Sequence, residues 1–74
     1  MKLALEFEQE ADGRWIAEIL EFLGVLAYGT TKIQAGERVK ALALRVIAER
    51  IEMESSFPPI DHIDFMPYKS VVSY

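Results

Sequence analysis

This chain has no cysteine, a single histidine and only three prolines in 74 residues. Without cysteine there is no disulfide framework and no thiolate to act as nucleophile or metal ligand. The one histidine, His62, leaves a transition-metal site short of donors, because such sites take three or four protein ligands. Asp61 and Asp64 flank it, as they would a general base oriented by a carboxylate, yet the residue reads as a half-exposed strand histidine. Long apolar runs are missing too. Nothing approaches the roughly 20 residues that cross a bilayer, and no basic start leads through an apolar stretch to a cleavage site. These absences point to a cytoplasmic protein with no membrane partner. Positive charge is also scarce, with 8 basic against 12 acidic residues and a net charge of −4. A domain that grips nucleic acid by itself needs a basic stripe to displace counterions. Here Lys32, Arg38, Lys40, Arg45 and Arg50 are interleaved with Glu37, Glu49 and Glu52. Direct nucleic-acid binding by this chain alone is therefore not expected, and an acidic domain is better matched to a basic protein.

What is present is apolar material, 51% of the residues, spread along the whole chain. That is too hydrophobic for disorder. A single domain of this size buries only roughly 60% of its unfolded surface, so an oligomer or a partner is an expected supplement.

The order of elements follows from periodicity and punctuation. Residues 2–9 alternate, with Leu3, Leu5 and Phe7 on one face and Lys2, Ala4, Glu6 and Glu8 on the other, which is a half-buried strand. Asp12-Gly13 marks a hairpin turn, because glycine reaches positive φ without a Cβ clash. A second strand over 14–20 sets Trp15, Ala17 and Ile19 against Arg14, Ile16, Glu18 and Leu20. The apolar residues on that second side suggest a partly covered outer face. Glu21 to Gly24 reads as a connection or bulge, and Val25 to Tyr28 as a third strand ended by Gly29.

Thr31-Lys32-Ile33-Gln34 fits a capping box, in which the Thr31 hydroxyl caps the first turn and Gln34 reaches back to the Thr31 amide. The helix is predicted from about Lys32 to Met53, with Ala35, Val39, Leu42, Ala43 and Val46 as its core stripe. Ile33, Leu44, Ile47 and Ile51 widen the apolar arc to about half the circumference, beyond the 100° or so that one sheet face requires. The surplus predicts a contact with the C-terminal segment or another subunit. Ser55-Ser56-Phe57-Pro58-Pro59 ends the helix. Ile60 to Met66 offers a fourth strand, Pro67 to Ser70 a turn, and Val71 to Tyr74 a terminal strand or docking tail. The expected fold class is α+β, an antiparallel sheet of three to four strands with one helix packed on one face, in the order β-β-β-α-β.

In this order and spacing, Gly13, Trp15, Ala17-Glu18, Gly24, Gly29, Thr31 and Ala35 resemble the pattern of the HicB-like antitoxin family over about residues 3–51. Leu20 and Leu23 stand where that family usually has prolines, Thr30 where it has an acidic residue, and Gln34 where it has glutamate. The resemblance implies a partial RNase H-like fold without nuclease activity. It also implies a role in binding and blocking a small basic ribonuclease of the HicA type. The twenty or so residues after the helix are too few for a helix-turn-helix, so the likeness is to a solo domain of the family.

No catalytic, cofactor or metal site emerges beside that resemblance. Ser55, Ser56, Ser70 and Ser73 have no base partner, and Gly24 and Gly29 form no phosphate loop. Trp15, Phe7 and Tyr28 lack the basic surround of a base-stacking platform. An RNase H-like metal cluster would draw on Glu6, Glu8 and Glu18, but two-metal nucleases need several carboxylates converging on ions roughly 4 Å apart, and this spacing specifies no such convergence. The expectation is instead a partner-binding acidic surface of Glu6, Glu8, Glu18 and Glu21. Oligomer contacts, in a dimer or tetramer, are expected at Ile33, Leu44, Ile47 and Ile51. The alternative is a stand-alone homo-oligomeric structural or regulatory module with no toxin partner.

Overall fold

A computed structural model of the chain describes residues 1–54 and 57–67. Its elements are β1 (Lys2–Gln9), β2 (Trp15–Ile19), β3 (Leu26–Gly29), α1 (Lys32–Met53) and β4 (Asp64–Pro67). They form one four-stranded sheet, ordered β3-β2-β1-β4, with α1 on one face. Of the expected turn at 67–70, Pro67 is instead the last residue of β4; the rest of it and the terminal strand at 71–74 lie outside the described residues, as do Ser55 and Ser56.

The first hairpin closes as the Asp12-Gly13 signal requires. Gly13 has φ 92°, its amide donates to the Glu10 carbonyl at 2.9 Å, and the Glu10 amide donates to the Arg14 carbonyl at 2.7 Å. Asp12 Oδ1 accepts from the Arg14 amide at 3.0 Å while Oδ2 meets Arg14 Nε at 2.8 Å. The bond from the Arg14 amide, and then the one from its side chain, hold the Asp12 carboxyl below the usual aspartate value of 3.8. The second connection is tighter than a strand extension. Gly24 at φ 85° lets the Val25 amide donate to the Phe22 carbonyl at 3.1 Å, so β3 begins at Leu26 instead of Val25. Phe22, a connection residue by sequence, is thereby turned inward and joins the core.

The sheet is mixed, not purely antiparallel. β1–β2 and β2–β3 are antiparallel, but β4 runs parallel to β1, with Leu3 opposite Phe65 and Ala4 opposite Met66. Two hairpins make β3 parallel to β1, and α1 is the crossover that parallel strands need. It carries the chain back past β2 and β1 to the far edge. The Met1 ammonium donates to the His62 carbonyl at 2.8 Å, and the Asp64 amide to the Met1 carbonyl at 2.8 Å, which fixes the register there.

Thr31 caps α1, its hydroxyl accepting from the Gln34 amide at 3.0 Å. The return half of the expected box is displaced by one residue. Gln34 Oε1 accepts from the Thr30 amide at 2.7 Å and the Thr30 hydroxyl at 3.1 Å, because two donors converge there.

The buried core comprises Leu3, Leu5, Ala17, Ile19, Phe22, Val25, Ala35, Val39, Ala43 and Ile47. Leu42 and Val46, expected at the centre of the helix stripe, are only partly buried against it. Ile47 corrects the flank assignment. It is 3% exposed inside the core, and so is not a surface for another subunit. The shift follows from where α1 lies. The helix packs over β3 and β2 and meets β1 at few points. Beneath it the sheet presents small residues, Ala17, Ala27 and Gly29, and a Cβ on Gly29 would run into the backbone of Ala35. Beside it stand the larger Leu3, Leu5, Phe7 and Phe65. The small residues let α1 lie close over β3 and β2, and Ile47 is buried in the core.

Candidate interaction surface

Period-two alternation sends every second residue of each strand to the face opposite α1. From β1 these are Lys2, Ala4, Glu6 and Glu8. β2 adds Ile16 and Glu18, with Leu20 just beyond it, β3 adds Leu26 and Tyr28, and β4 adds Asp64 and Met66. No element among the described residues covers this face, so the partial covering suggested by Ile16 and Leu20 does not come from within the described chain. Leu20, Leu26, Tyr28 and Met66 are 41%, 36%, 40% and 44% exposed.

Two carboxylates lie at its centre. Glu6 is the direct cross-strand partner of Glu18, and both are half-buried. The Leu20 amide donates to the Ala4 carbonyl at 3.0 Å. Two residues further along, Glu6 and Glu18 therefore occupy the next hydrogen-bonded pair, with Cα atoms on the order of 5.5 Å apart. Like charges so placed are destabilising. Among the described residues neither forms an ion pair, nor does Glu8, which is exposed at the hairpin end opposite Ile16. The cations of this face sit at its margins. Lys2 is opposite Asp64 in β4, and Arg14 is bound to Asp12 and stacked 4.8 Å from the Tyr28 ring.

Glu21 has a different place from the one expected. Its Oε1 accepts from the Ala4 amide at 2.8 Å, filling a ladder position where β2 has ended. It lies at the end of the strand pair, is committed to backbone, and is a structural group first.

Of the expected oligomer contacts, Ile33, Leu44 and Ile51 are exposed at 78%, 45% and 52%, away from the acidic face and on the helix. His62 lies in the segment before β4, its Nε2 3.4 Å from Asp64 Oδ2, both exposed. Among the described residues no three His, Cys, Asp or Glu side chains gather where a metal ion could sit. Among the described residues no helix is long and apolar enough to cross a membrane.

Comparison with protein-family models, curated proteins and solved structures gives no match. The chemistry of the face therefore stands on its own residues. Opposed carboxylates can accept hydrogen bonds from a cation, and the neighbouring Leu20 and Leu26 can cover an aliphatic stem. Sequence reasoning located the glutamates, with Ile16 and Leu20 on the side of Glu18, but not Leu26 and Tyr28 beside them. Leu26 and Tyr28 fall on the same side as Glu18 once the strands are paired.

Proposed function

We propose that this chain is a non-catalytic binding module of the HicB-like antitoxin type, whose open sheet face docks a small basic ribonuclease of the HicA type and masks it. The observation that carries this reading is the Glu6–Glu18 pair, two facing carboxylates with the exposed apolar Leu20 and Leu26 beside Glu18. An incoming guanidinium or ammonium relieves their repulsion and forms charge-assisted hydrogen bonds with both. The ordered resemblance over residues 3–51 and the net charge of −4 support the same conclusion. The protein acts in the cytoplasm and needs no cofactor.

The test is titration calorimetry with the product of any short basic reading frame beside this gene, at two salt concentrations. Binding should weaken as salt rises and be lost in Glu6→Lys/Glu18→Lys, with the fold retained. A shift of DNA at physiological salt overturns the module reading. So does RNA cleavage abolished by substituting these glutamates.

The exposed Ile33, Leu44 and Ile51 favour a second reading, a stand-alone homo-oligomeric scaffold of the same fold, a C2 dimer or a tetramer. Sedimentation decides between them. A species near 8.4 kDa at micromolar concentration removes the scaffold, and a tight oligomer indifferent to every basic partner removes the antitoxin.

A further inference from the structure

Because α1 sits over β2 and β3, the β1–β4 half of its own sheet face is left with a groove beside the helix. The groove encloses about 280 Å³, at the lower edge of the roughly 300–1,000 Å³ of ligand pockets, which limits any guest to a short one. Its floor is Leu5, Phe7 and Phe65, and Ile33 and Gly36 form the helix wall. Gly36 has no side chain to project into this space, and a Cβ there would press on the Phe7 ring at 3.3 Å.

The mouth is polar and carries the opposite sign to the rest of the chain. Lys32 Nζ stands 5.0 Å from the Phe7 ring centroid and 5.8 Å from that of Trp15. Lys40 Nζ stands 5.9 Å from that of Phe65. One carboxylate, Glu37, lines the groove with them, 3.5 Å from Lys40, and no carboxylate among the described residues pairs with Lys32. Two ammonium groups and one carboxylate therefore border the groove, and Lys32 opens a 22-residue helix whose dipole is positive at that end. Both lysines already stand within cation–π distance of rings of the floor, Phe7 and Phe65. A guest with its apolar body on that floor would carry its charged end to the lysines, and the charge that fits is negative.

The geometry points to this groove as a binding site for small monocarboxylates with a short apolar body, such as a medium-chain alkanoate. The carboxylate would lie at the lysine-bearing mouth, with the body over Phe65 and against Ile33. The site is on the opposite side of the sheet from Glu6 and Glu18, and it stands whether or not the chain docks a basic protein.

Octanoate, octylammonium and 1-octanol, each below its aggregation concentration, separate charge from apolar burial in ¹H–¹⁵N spectra of the full chain. Octanoate should shift the Gly36 and Phe65 amides saturably, and its matched cation should bind at least about tenfold more weakly. Lys40→Glu should weaken octanoate by a similar factor and reverse the preference between the two charged probes. Ile33→Gln, at a side chain 78% exposed in the free protein, should weaken all three without unfolding the domain. Equal binding of the three probes overturns the proposal, as does the absence of shifts at Gly36 and Phe65. A dimer that octanoate leaves intact and Ile33→Gln splits overturns it as well, since the groove would then be an interface between copies.

Discussion

The two faces of this sheet are built from alternate residues of the same strands, yet they serve opposite ends. Toward α1 the strands present Leu3, Leu5, Ala17 and Ile19, each at most 4% exposed, and the helix answers with Ala35, Val39 and Ala43 at 0%. Away from α1 they present Glu6, Glu8, Glu18, Leu26 and Tyr28, with two like charges directly opposed. The first face minimises free energy locally. The second accepts a cost that a packed domain has no reason to carry, and sites that break local consistency are where function is to be sought. In so small a domain the difference also sets how each face responds to mutation.

Truncation at the covered face has the largest expected effect. Ile19→Ala removes one of the largest fully buried side chains and should cost about 2–5 kcal/mol, lowering the melting temperature by on the order of 10 °C or more. Leu26→Ala, on the open face of the adjacent strand, should change stability by no more than about 0.5 kcal/mol. Equal losses at both positions, read by thermal denaturation, would mean that the open face is packed in solution. Next comes Gly29→Ala. Its new Cβ would stand 2.9 Å from the Ala35 Cα, so helix and sheet must part at the cost of about 1–3 kcal/mol. The denaturant midpoint should fall with an unchanged slope.

Glu18→Gln sharpens the comparison by its sign. Relief of the cross-strand repulsion should stabilise the free domain by about 0.2–1 kcal/mol while weakening the salt-sensitive docking of a basic partner. A loss of stability instead would show that Glu18 is held by an attractive contact and is no poised receptor.

The smallest effect lies at the hairpin tip. The folded-state carboxyl value of Asp12 is lowered, so its stabilising contribution is present above the unfolded value, near 3.9, and lost as pH falls through the folded one. Carboxyl NMR titration should place its midpoint below 3.8, and Asp12→Asn should flatten that part of the acid limb. A midpoint at or above 3.8 would mean that the Arg14 contacts do not persist in solution.

How far residues announced their places depended on how local the cause was. Gly13 and Thr31 were readable because a positive φ and an N-cap are decided within four residues. The alternation of residues 2–9 was readable because a strand with one buried face admits a single side-chain period. Ile47 and Phe22 were not readable. Their burial depends on which part of the sheet the helix lies over, and that depends on side-chain sizes in strands distant in sequence. Glu21 looked like one more surface charge until the Ala4 amide, 17 residues away, came within its reach.

By itself, then, the sequence determined the class and order of the elements, the turn and cap residues, and the division of each strand into an apolar and a polar side. The tertiary structure decided the parallel docking of β4 on β1, the offset of α1 toward β3 and the groove this leaves. It also decided the opposition of Glu6 and Glu18. Local signals act through dihedral preference and periodicity over a few residues. Which strands become neighbours, and which like charges are thereby forced together, is settled only when the hairpins and the helical crossover close one sheet.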